Sequence, residues 1–292
     1  MHPRLSTRSA TNFLIPTDFF ISPHIFPNII PNPNPLLPVI KKMDQRFNRL
    51  ELLTGAPALS ALRSTRVIIF GLGGVGSWTA EALARSAVGH ISLVDADSVA
   101  LSNINRQLPA LSSTVGISKA ELLARRIADI NPDCEVTVHP VRYSAENADT
   151  FPLESYDYII DAIDSLADKQ LLILRATSCH RPRLFSSMGA ALKMDPSRIQ
   201  VNEFWKVTGD PLAAALRRRF RKSAILPRRK FKCVFSDELL TNHPLQDDYG
   251  PDPAMSFGKV ATNGAVCHIT AIFGMTLASL VIRDVVSVSS RL

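Results

Sequence analysis

The sequence has only four cysteines in 292 residues, Cys134, Cys179, Cys233 and Cys267, and no two of them form a Cys-x-x-Cys pair. That scarcity excludes a disulfide framework and a four-thiolate zinc site, and it fits a reducing, intracellular setting. Acids are missing from one long stretch: between Asp210 and Asp237 there are nine lysines or arginines and no aspartate or glutamate. Of the net charge of +7, residues 1–42 supply +3 through Arg4, Arg8, Lys41 and Lys42 against Asp18. The remaining excess is modest, so its concentration after Asp210 is what implies a polyanionic partner. Uninterrupted apolar runs of membrane-spanning character are also lacking. Ala265 to Ile282 comes nearest, but Cys267, His268 and two threonines break it, and its flanks offer only the single cations Lys259 and Arg283. Without an aromatic belt it reads as a buried helix; no membrane partner and a cytoplasmic location are expected.

Proline is plentiful where it is least compatible with a fold. Eight of the twenty prolines fall in residues 1–42, including Pro-Asn-Pro-Asn-Pro, a density that forbids a regular helix or a central strand. This segment is expected to be a disordered extension. Its few acids suit a transit peptide, yet the prolines spoil the amphipathic helix such a signal needs. Met43-Asp-Gln-Arg-Phe-Asn-Arg49 reads as the true beginning, with the folded part over 43–292. An apolar content of 46% supplies one large core.

Past that point, short β-branched runs alternate with helical patterns. Arg66–Phe70, Ile91–Asp95, Glu135–His139, Tyr156–Ile163 and Arg183–Ser187 read as strands. Between them, Ser77–Ser86, Lys119–Ile130 and Ser165–Cys179 read as helices, after an opening helix over Gln45–Leu53. The expected fold is α/β: a Rossmann-like, doubly wound, mainly parallel sheet. From Ile199 the pattern becomes alternating, as in Ile199-Gln-Val-Asn-Glu-Phe-Trp205. Antiparallel C-terminal strands, a basic helix, a polar loop over 237–258 and a C-terminal helix are expected.

Gly71-Leu-Gly73-Gly74-Val-Gly76 lies between the first strand and the first helix of that sheet. A G-x-G-x-x-G there turns backbone N–H groups and a helix N-terminus toward phosphate. Asp95, nineteen residues beyond Gly76, stands where an acid bonds ribose hydroxyls. A nicotinamide oxidoreductase has both features, so they do not separate redox chemistry from adenylation. The next segment does. Asp97, Asn103 and Arg106, followed by Lys119 at the head of a helix, have little use in hydride transfer. At an ATP site Arg106 and Lys119 neutralise phosphate charge and Asn103 orients an oxygen. Asp164, at the C-terminal end of the fourth strand, is suited to holding Mg²⁺ against the phosphates, and Asp161 to a structural pairing.

This set resembles the superfamily of ubiquitin-activating and ThiF/MoeB-like adenylyltransferases: the glycine turn, Asp95-Ala-Asp97, Ser102-Asn-Ile-Asn-Arg-Gln107, Lys119 and Asp164, over residues 43–285. The resemblance implies that an arginine of Arg46-Phe-Asn-Arg49, with Arg49 the candidate, reaches the ATP of a partner subunit in a homodimer. Within the superfamily, Val115-Gly-Ile-Ser-Lys119, Ile160-Asp-Ala-Ile-Asp-Ser165, Gly209-Asp-Pro-Leu-Ala213 and Cys233-Val-Phe-Ser-Asp-Glu238 look most like the tRNA threonylcarbamoyladenosine dehydratases. That family activates the threonyl carboxylate of a modified adenosine beside the anticodon as an acyl-adenylate. An internal nucleophile then closes a ring and expels AMP.

Arg217, Arg218, Arg221, Lys222, Arg228 and Arg229 are the expected tRNA contacts, while Phe220 and Phe231 among them are expected in the core. The alternative within the superfamily is activation of a ubiquitin-like sulfur-carrier tail; the absent zinc cysteines and the basic helix argue against it. Cys233 reads as a small buried apolar residue, although its basic neighbours leave a thioester role or a sulfur-transfer partner open. A nucleotide-binding scaffold without chemistry is the reading furthest from these.

Overall fold

A computed structural model describes residues 45–244 and 263–289. The expectation for residues 1–42 and most of the polar loop over 237–258 lie outside the described residues. A single 3-10 turn leads into α1 (Asn48–Thr54) and α2 (Ala56–Ser64), and then β1 (Arg66–Phe70) enters the sheet. There follow α3 (Gly76–Ala84), β2 (His90–Val94), α4 (Lys119–Ile130), β3 (Glu135–His139), β4 (Tyr158–Asp161), α5 (Leu166–Ser178) and β5 (Arg183–Ser187). The C-terminal part adds β6 (Ile199–Glu203), α6 (Pro211–Ser223), β7 (Lys232–Ser236) and α7 (Cys267–Ser289).

The seven strands lie in the order β3-β2-β1-β4-β5-β7-β6, parallel except for β6, which runs antiparallel to β7. β1 is central because its residues are apolar on both faces. Val67 and Ile69 point into one core with α2, α3, α4 and α7, whereas Ile68 and Phe70 point into a second with α5 and α6. This period of two, buried on both sides, is what a parallel central strand requires. The chain crosses from β1 to β2 on one side and β4 pairs β1 on the other. The crevice at the C-terminal end of β1 is therefore the topological switch point, where such sheets bind ligands.

Several expected bounds needed adjustment: β2 and α3 each begin one residue earlier, and the alternating stretch from Ile199 leaves the strand after Glu203. β4 stops at Asp161, two residues short of the expected end, because the Asp161 carboxylate accepts the Ile163 N–H and turns the chain out of the ladder. α2 and β7 carried no strong periodic signal; β7 becomes a strand by insertion between β5 and β6, where Val234 and Phe235 are fully covered. α7 runs on to Ser289.

α7 is long and apolar enough to cross a membrane, but Ile269, Phe273, Leu277 and Val281 are buried in the core against α2, α3 and β5. Its approach to α3 is close. A Cβ on Gly274 would stand 2.5 Å from the Val75 carbonyl oxygen and 2.7 Å from the Trp78 Cβ. Thr79 Oγ1 also donates to the Gly274 carbonyl at 3.1 Å. Gly274→Ala is expected to cost about 1–3 kcal/mol by overpacking, read as a lower urea midpoint at unchanged slope. An unchanged midpoint would show that the two helices separate freely.

Candidate nucleotide site

The glycine turn is closed by sterics at both ends. Gly71 has φ +86°, and a Cβ there would lie 2.7 Å from the Ala162 carbonyl oxygen; a Cβ on Gly76 would overlap the Gly71 carbonyl. No other residue fits either position. Gly74 backs onto Thr270 of α7, while Gly73 has open space beside it with only the Gln107 amide near, at 3.8 Å. The turn thus leads directly into the N-terminus of α3, where the helix dipole favours an anion.

Asp95, just past β2, fastens this turn. Its Oδ2 accepts the Leu72 N–H at 2.6 Å and its Oδ1 the Asp97 N–H at 2.8 Å. Burial pushes its carboxyl up from the ordinary value, and the Lys119 charge and those two N–H groups oppose the shift. A carboxylate so bonded keeps lone pairs for further hydroxyl donors. Lys119 is 4% exposed, and its Nζ donates to Asp97 Oδ2 at 2.9 Å. The backbone repeats the join, with the Lys119 N–H on the Asp97 carbonyl at 3.0 Å. The head of α4 is therefore held to the end of β2 by both main chain and side chain.

Asn103 is buried, and its Oδ1 accepts the Ala100 N–H at 3.1 Å while its carbonyl accepts the N–H groups of Arg106 and Gln107. The Arg106 guanidinium folds over this turn, donating to the Ser102 carbonyl at 2.7 Å and to Asn105 Oδ1 at 2.9 Å. Its own carbonyl accepts from Trp78 Nε1 and Thr270 Oγ1, which ties the loop to α3 and α7. Gln107, passed over in the sequence, is 8% exposed with a buried Oε1 that has no hydrogen-bond partner. Its place next to Arg106 in the Ser-Asn-x-x-Arg-Gln string was the available signal.

Asp161 and Asp164 divide as their surroundings dictate. Asp161 is fully buried, 2.9 Å from the fully buried Lys169 Nζ, and accepts Ser186 Oγ at 2.7 Å. Lys169 also donates to the Ile163 carbonyl at 3.1 Å, so this pair shapes the loop that carries Asp164. Asp164 itself is exposed at the mouth of the crevice. Among the described residues no three His, Cys, Asp or Glu side chains converge as a metal cage.

Arg49 is exposed on α1. Arg46, one turn earlier, bonds Asp133 at 2.7 Å, and Phe47 packs on Leu59 and Ala87. Those contacts lie at the N-terminal ends of the strands, so Arg49 is not brought to the chain's own glycine turn.

The basic segment sorts itself in the same way. Asp210 caps α6 by accepting the Ala213 N–H at 2.8 Å, and Phe220 and Phe231 are buried as expected, Phe231 stacked on Phe204 at 5.0 Å. Arg218, Arg221, Lys222 and Arg228 are exposed. Arg217 is half-buried, donating to the Phe204 carbonyl at 3.2 Å. The Arg229 guanidinium binds the carbonyls of Ala176, Thr177, His180 and Pro182 at 2.7–3.3 Å. It caps the C-terminus of α5, where carbonyls lack intrahelical partners, while the residue stays exposed like Arg228. Cys233 is sealed in the core, and burial pushes its thiol well above the ordinary value, which removes the thiolate a thioester needs.

Residues 46–289 match the ThiF family. The chain belongs to the ThiF family. A relative in it is the tRNA threonylcarbamoyladenosine dehydratase of Bacillus subtilis, 39% identical over 244 residues, covering 83% of this chain and 95% of that one. Among solved structures, this ThiF-family chain is similar to the Escherichia coli tRNA N6-threonylcarbamoyladenosine dehydratase TcdA in complex with ATP. The TM-score is 0.73 at 37% identity, covering 85% of this chain and 96% of that chain. The same enzyme in complex with AMP matches with the same score and coverage.

The buried Asp161–Lys169 pair generates a direct test of what holds the site's floor. Lys169→Met is expected to destabilise the fold by about 3–5 kcal/mol, because it strands a buried charge. The double variant Asp161→Leu with Lys169→Met should recover most of that loss in a urea titration. Equal loss in both would mean that packing volume, not charge, governs the position.

Proposed function

We infer that this chain is an ATP-dependent tRNA threonylcarbamoyladenosine dehydratase. The observation that carries the reading is near full-length similarity to enzymes of that name, 39% identical across 95% of the Bacillus subtilis protein. The gathering of Asp95, Asp97, Asn103, Arg106 and Lys119 around the glycine turn supports it. The threonyl carboxylate attacks the α-phosphorus of ATP, the bond to the β-phosphate breaks, and pyrophosphate leaves. An internal nucleophile of the same modified group then attacks the acyl-adenylate, closes the ring and expels AMP, which carries off the oxygen lost as water.

Each residue has a role set by its geometry. Gly73 and the first N–H groups of α3 receive phosphate oxygens. Asp95, anchored through both oxygens to backbone N–H groups, accepts ribose hydroxyls. Lys119, aimed by Asp97, and Arg106 stabilise charge on the α-phosphoryl group and the departing pyrophosphate. Asn103, whose Oδ1 is bonded to Ala100, offers its amide N–H₂ to an oxygen. Mg²⁺, when bound with the triphosphate, neutralises phosphate charge. Asp164 would be the carboxylate that holds it against the phosphates.

Arg49 is proposed to act on the nucleotide of a second copy in a homodimer. Its neighbours Leu52 and Leu53 support this, since they are 87% and 84% exposed and are apolar surface that a second copy would cover. Activation of a sulfur-carrier tail is the lesser reading. Cys233, the residue that would carry a thioester, is sealed and held as the thiol.

Cleavage of ATP to AMP and pyrophosphate is expected to be stimulated by tRNA bearing the threonylcarbamoyl group and not by unmodified tRNA; equal rates with both would sink this substrate. Lys119→Ala and Arg106→Ala are each expected to lower adenylate formation by about 100-fold or more, with the melting temperature retained for the variant of half-buried Arg106. Activity within a few-fold of wild type in both would remove them from the chemistry.

A further inference from the structure

At the other end of the sheet from the glycine turn lies a cavity of about 640 Å³. Its walls are the starts of β5 and β7, Val201 of β6 and the second half of α7. Five cations line it, Arg183, Arg229, Lys230, Lys232 and Arg283, against the single acid Asp284. Two of the five are already committed. Arg229 is spent on the carbonyls at the end of α5, and Arg183 is bonded to Asp284, which also accepts the Tyr158 hydroxyl at 2.6 Å. The acid is thus neutralised by contacts within the wall.

The Lys232 backbone pairs with Glu203 in the ladder, but the side chains of Lys230, Lys232 and Arg283 make no hydrogen bond or ion pair with another described residue. Glu203 lines the adjoining hollow with Lys230 and Lys232, and even with it the cations prevail. With Glu203 counted against Lys230, Lys232 and Arg283 the concave space is still net positive, which favours an anion.

The position says which anion. α6 runs down the opposite face of the sheet, with Arg218, Arg221 and Lys222 exposed in its second half. The chain then passes through exposed Arg228 to Lys230 and Lys232, at the start of β7. Cations therefore continue from one face of the sheet, around the N-terminal ends of its strands, into the cavity. The belt follows a path a polynucleotide backbone can track, and no single small anion spans it. We propose that the cavity seats backbone phosphates of tRNA remote from the reacting nucleoside. Lys230, Lys232 and Arg283 are the contacts. The choice of tRNA rests on the dehydratase reading.

The test is the full-length chain carrying Lys230→Ala, Lys232→Ala and Arg283→Ala, titrated with an unmodified tRNA transcript over a range of salt. Affinity should fall at least about tenfold. The slope of log K against log salt should shrink by about two to three, at ~0.7–0.9 per lost phosphate contact. In turnover the loss should appear in KM for tRNA more than in kcat. The charge-keeping set K230R, K232R and R283K should restore the slope, which separates loss of charge from loss of fold. Unchanged affinity and slope in the alanine set would overturn the proposal. So would loss of pyrophosphate binding with tRNA binding intact, since the cavity would then hold a small phosphate. Binding that falls as stated in a chain that never dehydrates tRNA would sink the dehydratase reading and leave the docking site standing.

Discussion

The contact between α3 and α7 at Gly274 is the constraint on which the other features rest. It brings the two backbones together at the turn that begins with Gly71, so Thr270, one helical turn earlier, packs on Gly74 and donates to the Arg106 carbonyl. Asn105 Nδ2 reaches the Ala265 carbonyl in the same region, at 2.8 Å. The glycine turn, the Arg106 loop and the start of α7 form one packed unit. A side chain at residue 274 would push α7 outward and take the support from the Arg106 loop with it. The same helix, ~35 Å long at 1.5 Å per residue, also supplies the wall of the lower cavity. Its first half serves the nucleotide turn and its second half presents Arg283.

Charge within the core is handled by two different devices. Asp161 and Lys169 are both fully buried, and each has a further polar partner, Ser186 and the Ile163 carbonyl, which is the condition under which a buried pair is tolerated. Lys119 instead is buried while its partner Asp97 stays 60% exposed at the side chain. A pair open on the acid's side leaves the ammonium two further donors and lets solvent relax the acid. The first device fixes the floor of the crevice; the second is poised to be redirected.

The sequence carried the sheet's parallel part because β1, β2 and β4 are short apolar runs buried on both faces and the edge strand β3 alternates, signals that need no partner to be read. β1, β3, β5 and α4 fall on their expected bounds. α2 and β7 were hidden because their residues take their states from neighbours: α2 from packing against α7, β7 from insertion beside β5. The residues that gather around the glycine turn were legible by type and spacing, as were the core positions of Phe220 and Phe231. Arg229 was not. A cation in a run of cations gives no sign that four backbone carbonyls await it, since those carbonyls are created only when α5 ends and β5 turns back beneath it. Gln107 was overlooked for the opposite reason: an amide looks bland until its neighbours leave its oxygen buried and unpaired.

Placing the charged belt away from the glycine turn has an energetic consequence. On the proposed docking, phosphate contacts at the far end of the sheet would be the same before and during adenylation and would add to tRNA affinity without distinguishing the transition state. They fix the orientation of a large substrate, and orientation is what a reaction with its nucleophile inside the substrate most needs. On the proposed function, discrimination then falls to the crevice, where Arg106 and Lys119 would meet charge that changes as pyrophosphate leaves. A fold that anchors the invariant backbone on one end and reads the changing charge on the other keeps those two demands on separate residues, joined mechanically only through α7 and the strands between.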